Sequence, residues 1–349
     1  MSEDSRRNAR IPYVQIVVVG LIASAIGISV GVAIEWFPTP ASTQAGPIDH
    51  LFDVLIFTSV PIFVAVTMVV LFSVWKFKMR PGEENLDGPP IHGNTRLEVV
   101  WTAIPAIILV VLCSYAWVVL NDIEEPQANE MRIDVTGQQF AWTYEYPQAG
   151  GKPVKSNVLV LADNQPVRFY VKALDVIHDF WVPAFRMKVD AVPGIETKYR
   201  VTPNRLGTYP VVCAELCGLG HSVMRSTAQV VSPAAFKTWL ADKQAPAAPA
   251  AGGAGPDGKK LFTDGNGTAT ACAACHTLAD AASSATTGPD LDKNLAGKDA
   301  AYIKTSIVQP GAKIAPGFQD GIMPKDYGTT LSADELDALV TYLGQVAGK

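Results

Sequence analysis

At 349 residues the chain is too long for one small domain and leaves room for two or three. Its net charge of −5 gives no hint of nucleic-acid binding, and no nucleic-acid partner is expected. Hydrophobic residues make up 48% of the chain and crowd towards its N-terminus, which argues against a wholly soluble protein.

Three apolar runs come first: Ile16–Ile34, Val54–Trp75 and Val99–Leu120, each free of Lys, Arg, Asp and Glu. Each is long enough to cross a hydrocarbon core of about 30 Å as a helix. Pro61 and Pro105 fall inside the second and third, which membrane helices tolerate better than soluble ones. Basic residues set the orientation. Arg6, Arg7 and Arg10 precede the first run, residues 38–53 have no Lys or Arg, and Lys76, Lys78, Arg80 and Arg96 lie between the second and third. The pattern reads inside, outside, inside, and places everything after Leu120 outside. The first run is either a retained helix or a signal peptide, and the topology of the rest is the same for both. Of the five cysteines, Cys113 sits in the third run, and the other four fall in the external part as two closely spaced pairs.

From Met131 to Trp239 the pattern is strand-like. Residues 132–136, 167–171 and 198–202 alternate or are rich in β-branched and aromatic side chains, with Gly, Pro and Asn clusters between them. Short strands at this spacing predict a Greek-key sandwich. Within it, Cys213 and Cys217 are followed by His221 and Met224. Thiolate, imidazole and thioether are donors that suit copper in electron-transfer sites. His178, on an earlier strand or loop, offers a second imidazole in a chain with only five histidines. A disulfide or a redox CxxxC pair is the competing reading of the two cysteines.

Residues 241–255 are low-complexity, with almost no large side chain, and read as a flexible linker. Beyond them, Cys272-Ala-Ala-Cys275-His276 has the spacing of covalent haem c attachment, two thiols for the vinyl groups and an adjacent imidazole for iron. No Cys or His follows His276, which weakens a zinc site, and Met323 is the one methionine left to act as sixth ligand. Filling both axial positions with His and Met suits electron transfer rather than oxygen binding. Helical patterns flank the site, and Ser332 with Glu335 makes a capping box ahead of an apolar stripe at Leu336, Leu339, Val340 and Leu343.

Assembled in this order, the chain from about Ile48 onward resembles subunit II of a haem–copper cytochrome c oxidase with a cytochrome c domain fused at its C-terminus, the caa type. The resemblance implies a membrane helical hairpin, an all-β cupredoxin-like Greek-key sandwich and an all-α class I cytochrome c domain. The expected organisation is an N-terminal signal or helix over 1–47, the hairpin over 48–125, the copper domain over 126–240, the linker over 241–255 and the cytochrome c domain over 256–349. The implied cofactors are covalent haem c on Cys272, Cys275, His276 and Met323, and a binuclear copper centre of the CuA type. In that centre Cys213 and Cys217 bridge, His178 and His221 each cap one copper, and Met224 and the Glu215 carbonyl are weak ligands. The Glu215 carboxylate is implied to help bind magnesium at the interface with subunit I. Glu98, in a stretch that resembles the start of the family's second membrane helix, is implied to lie near a proton path. A carboxylate that merely favours its helix N-terminus is the competing reading. Residues 137–146 resemble the family's aromatic run beside the copper site, with Phe140 where relatives usually carry tryptophan.

The implied function is one-electron relay from cytochrome c or a quinol–cytochrome c reductase to the oxygen-reducing site of subunit I, coupled to proton movement. Implied partners are subunit I, the other oxidase subunits and membrane lipid. The expected location is the cell membrane, multi-pass, with the copper and haem domains on the outer, periplasmic face. A nitric oxide reductase subunit, a copper-delivery protein and a free-standing electron carrier are the alternatives.

Overall fold

The computed structural model describes residues 13–79, 81–82, 92–149, 153–244, 255–266 and 269–348. Arg6, Arg7, Arg10 and Arg80 of the charge pattern, and most of the linker, lie outside the described residues.

Each apolar run becomes one long helix: α1 at Tyr13–Ala33, α2 at Ala45–Phe77 and α3 at Thr95–Ile123. All three are long and apolar enough to span a membrane. Pro61 and Pro105 are accommodated inside α2 and α3. Gly27 and Gly31 of α1 lie against α2, where a Cβ would come within 2.8 Å of Val60 and 2.9 Å of Ile56. Small residues four apart let helix backbones approach closely where lipid offers no hydrophobic drive for association. Large side chains such as Leu21, Phe63, Trp101 and Ile107 point outward and exposed, as lipid-facing residues do.

The part after α3 begins as a sandwich of two five-stranded sheets. Its strands are β1 (Met131–Gln138), β2 (Ala141–Tyr146), β3 (Val154–Ser156), β4 (Leu159–Ala162), β5 (Val167–Ala173), β6 (His178–Trp181), β7 (Lys188–Ala191), β8 (Thr197–Val201), β9 (Gly207–Cys213) and β10 (Arg225–Val231). One sheet runs β3-β2-β1-β5-β8 and the other β4-β10-β9-β6-β7. Pairing is antiparallel except for β1 with β5 and β4 with β10. Alternation along β1 and β5 turns Ile133, Val135, Val167, Phe169 and Val171 inward. Aromatic rings close the core: Phe180 stands edge-on to Trp142 at 5.3 Å and to Phe169 at 5.6 Å. Such pairs add to the burial of the rings themselves.

Two boundaries differ from the sequence reading. Residues 37–45 belong with the sandwich rather than with the helix before them. Ala41 N–H donates to Ala184 O at 2.9 Å, Thr43 N–H to Thr202 O at 3.0 Å, and Ala41 and Ser42 are buried. These are long-range backbone bonds, which local composition does not signal. Helix α4 (Pro233–Gln244) continues four residues into the predicted linker, and its Trp239 packs on Tyr146 at 5.0 Å.

The C-terminal part is helical: α5 (Gly258–Asp264), α6 (Leu291–Asn294), α7 (Ala300–Val308), α8 (Tyr327–Thr330) and α9 (Ala333–Val346). Phe262, Leu278, Ile303, Leu336 and Leu339 anchor its core. The capping box on α9 forms as expected from Ser332 and Glu335. Gly258 faces Ala338 O so closely that any side chain there would collide, which lets α5 and α9 cross. Asp280 ties the two ends of this unit, accepting from the Tyr342 hydroxyl at 2.7 Å and pairing with Lys259 at 3.1 Å. These two partners, the hydroxyl first, hold its carboxyl below the usual carboxylate range. A depressed folded-state pKa contributes stability above the unfolded value near ~3.9, and that stability is lost as pH falls through the folded value. Asp280→Asn should therefore lower the thermal midpoint of this unit near neutral pH and flatten its acid limb, the difference from the parent shrinking as pH falls below the carboxylate range, read from the pH dependence of its melting.

Candidate metal and haem sites

The β6–β9 pairing builds the first site. Phe180 opposes Cys213 and Trp181 opposes Val212, which places His178, at the start of β6, beside the end of β9. The loop after β9 then folds back through a 3₁₀ turn at His221–Val223, and Cys213 N–H donates to Met224 O at 3.2 Å to close it. All the sequence-predicted donors converge here. The two Sγ atoms are 3.8 Å apart, nearly twice the roughly 2.05 Å of a disulfide, so both thiols are free. His178 Nδ1 lies 4.0 Å from Cys213 Sγ, and His221 Nδ1 lies 3.7 Å from Cys217 Sγ. Met224 Sδ is 3.8 Å from Cys217 Sγ, and the Glu215 carbonyl oxygen is 3.2 Å from Cys213 Sγ. His178, Cys213, Cys217 and Met224 are buried, whereas the Glu215 side chain is exposed.

The electrostatics are those of two thiols competing for one negative charge. Burial raises the Cys213 thiol, but hydrogen bonds with His178 and the neighbouring backbone outweigh it and the net shift is downward. Burial and the Cys213 charge both push Cys217 up. A cation between the sulfurs would remove that repulsion, and metal binding is favoured where it lets buried thiols ionise.

Three supports were not legible in the sequence. Asp175 Oδ1 lies 2.9 Å from His178 Nε2, so the carboxylate holds the ring with Nδ1 facing the sulfurs. Asp175 Oδ2 also accepts from Gln139 N–H at 2.7 Å, and Gln139 Nε2 donates to Cys217 O at 2.6 Å, tying the aromatic run to the loop. Phe140 is buried with its ring directly under Gly220, where any Cβ would overlap it. The aromatic run is thus floor and wall: Trp142 also stands edge-on to the His178 ring at 6.0 Å.

The second site is a cavity in the C-terminal unit with about 1100 Å³ of empty space, its open mouth included. Cys272, Cys275, His276 and Met323 line it together, among Phe262, Leu295, Ile303, Ile307, Phe318 and Leu343. His276 Nδ1 lies 3.0 Å from Pro289 O, which can only accept, so this nitrogen carries the proton and Nε2 is left as a ligand. Burial lowers the basicity of His276 and keeps the ring neutral. Gly288 is required beside it, since a Cβ there would lie 2.5 Å from the ring. Burial pushes both Cys272 and Cys275 up to about 12, with the charge of Cys275 adding to the effect on Cys272. Such thiols are poor nucleophiles and poor redox thiolates, which sets them apart from a thioredoxin pair.

Glu98 is exposed in the first turn of α3, and its Oε1 accepts from Asn94 N–H at 3.1 Å. It caps its own helix.

Comparison with known proteins follows the same division. Residues 29–119 match the cytochrome c oxidase subunit II transmembrane domain, 153–231 its periplasmic domain, and 256–347 cytochrome c. Cytochrome c oxidase subunit 2 of Thermostichus vulcanus is 33% identical over 279 residues, 65% of this chain and 84% of that protein. The chain belongs to the cytochrome c oxidase subunit II family. Another member, cytochrome c oxidase subunit 2 of Alkalihalophilus pseudofirmus, is 27% identical over 309 residues, 81% of this chain and 83% of that protein. Among solved structures, the periplasmic domain of subunit II of cytochrome oxidase of Bradyrhizobium japonicum is 32% identical, with 34% of this chain and 96% of that chain covered and a TM-score of 0.32.

Family membership implies CuA copper, and the cytochrome c domain implies haem. The residues present fit both groups. Two buried thiols, one buried and one half-buried imidazole, a buried thioether and a carbonyl have the donor chemistry of a copper site rather than of a hard cation. An apolar cavity walled by two thiols, a neutral imidazole and a thioether fits a covalently held haem. Two outcomes test the supports. Asp175→Ala should weaken copper affinity by roughly 10–100-fold in chelator competition, as loss of an orienting partner does. Gly220→Ala should abolish the two-copper electron paramagnetic resonance signal, and adding Phe140→Leu should restore much of it.

Proposed function

We propose that this chain is the electron-receiving subunit of a proton-pumping cytochrome c oxidase, relaying electrons from its haem c domain through a binuclear copper centre to the oxygen-reducing site of subunit I. The observation that carries the reading is that one chain holds both a free, buried dithiol with two flanking imidazoles and a haem-binding cavity. When bound, the copper pair and the haem supply one-electron redox chemistry at potentials set by their ligands.

Every other contribution comes from the protein. Cys213 and Cys217 would bridge the coppers, His178 and His221 would cap them, and Met224 and the Glu215 carbonyl would be the weak ligands. His178 is oriented by Asp175, and the loop is seated on Phe140, so the donor frame is fixed before any charge arrives. Burial keeps water from the sulfurs. Cys272 and Cys275 would carry the haem, His276 would ligate its iron with the ring held by Pro289, and Met323 would fill the opposite position. The Glu215 carboxylate, exposed beside its own carbonyl, would contribute to a magnesium site against subunit I. Glu98 would sit at the inner mouth of a proton path.

The three apolar helices fit a plasma-membrane subunit with both redox domains on the periplasmic face, supplied by cytochrome c or a quinol–cytochrome c reductase. A connection through the predicted linker, 241–255, would keep the haem domain at an effective concentration of roughly millimolar. Electron paramagnetic resonance with an optical spectrum of the purified complex tests the reading. A delocalised two-copper signal beside a low-spin haem c is expected; a silent copper spectrum with a Cys213–Cys217 disulfide would overturn it.

A further inference from the structure

The haem-binding unit rests on the β-sandwich through a small set of side-chain hydrogen bonds. Thr270 Oγ1 donates to Gln138 Oε1 at 3.0 Å, Asn157 Nδ2 to Thr263 O at 3.2 Å, and Thr287 Oγ1 to Val223 O at 2.9 Å. Only the last of the three lands on the copper loop, and both of its ends are next to donors. Val223 precedes Met224. Thr287 precedes Gly288, whose N–H donates to Cys275 O at 2.7 Å and which lies flat against the His276 ring. The following residue, Pro289, accepts from His276 Nδ1. From the His276 side to Met224 the connection is therefore continuous: the Cys275 carbonyl, the Gly288 amide, one residue of backbone, the Thr287 hydroxyl, the Val223 carbonyl and one peptide.

Thr287 itself is 7% exposed, so this bond is screened from the water that could replace it. The other wall of the haem cavity comes to the same loop. Ile322 packs against the sandwich core, and a Cβ on Gly321 would touch Leu219 at 3.5 Å. The segment that backs the His276 ring, 287–289, and the segment that carries Met323, 321–323, thus both bear on the sandwich, and Thr287 makes the directional contact.

We propose that Thr287 is a positioning residue for electron transfer, its hydroxyl registering the segment that backs His276 on the copper loop and completing a bonded route between the two centres. The inference rests on the relay reading above. The event it concerns is a single electron lost on the haem side and gained on the copper side, with no bond broken and no proton moved. Thr287→Val keeps the branched shape and removes the hydroxyl, leaving the Val223 carbonyl without its partner; Thr287→Ser keeps the hydroxyl. Neither changes a proposed ligand.

The test uses the purified complex with both centres loaded. A ruthenium photoreductant delivers one electron to the haem, and haem reoxidation and copper reduction are followed together. Transfer should be several-fold slower in T287V, close to the parent in T287S, with both spectra unchanged. A second readout needs no cofactor: in the unloaded full chain, the Gly288 and Met224 amides should exchange roughly fivefold faster in T287V, the scale of one hydrogen bond's net worth. Transfer and exchange in T287V equal to the parent's would overturn the proposal. Thr287→Ala is a second hydroxyl-free variant, so loss of a centre in T287V leaves the comparison with T287S intact, and equal rates there also overturn it. If the parent itself passes no electron from haem to copper, the relay reading fails; if only the variants are indifferent, the assignment of Thr287 fails alone.

Discussion

The pairing of Phe180 with Cys213 sets the terms for everything around the dithiol. It brings a histidine and a cysteine thirty-five residues apart to one end of the sandwich, and it does so with backbone bonds that are indifferent to what the side chains will hold. The sulfurs are then kept close without being joined. The loop that carries Cys217 is seated on Phe140 beneath Gly220, so a residue that is not among the donors helps to set where the loop lies.

The two sites solve the same problem by different means. Both need an imidazole fixed in orientation with one ring nitrogen turned into the site. His178 is held by a carboxylate, which can balance charge, and sits among exposed loop residues. His276 is held by a carbonyl in an apolar cavity, where an unpaired charge would be costly. Soft donors do the rest in each case, and neither site relies on a surface ion pair, whose contribution water and salt would weaken.

The membrane helices, the strand-rich middle and the helical end were all legible in local pattern, because hydropathy and alternation are properties of contiguous residues. So were Cys213, Cys217, His221, Met224 and the haem attachment motif, which are close in sequence. His178 was reachable only by counting histidines. Asp175, the Phe140–Gly220 contact and the Thr287–Val223 bond were not legible, since each joins segments whose adjacency is created by the fold. Residues 37–45 illustrate the same limit: nothing in their composition says that they hydrogen-bond to Ala184 and Thr202. Glu98 shows a local bond, accepting from Asn94 N–H at the start of its own helix, that spacing within one turn already makes legible.

The two parallel pairings, β1 with β5 and β4 with β10, have a consequence in time. Leu159 of β4 must find Ala228 of β10 before the second sheet is complete, and contacts of such long sequence separation form slowly. The proposed copper donors, spread from residue 178 to 224, exist as a set only in the closed sandwich. Cys272, Cys275 and His276 are adjacent in any conformation of the chain. The fold therefore imposes an order on assembly: the three residues of the haem motif are neighbours in any conformation of the chain, whereas residues 178 and 213 become neighbours only once β6 has paired with β9.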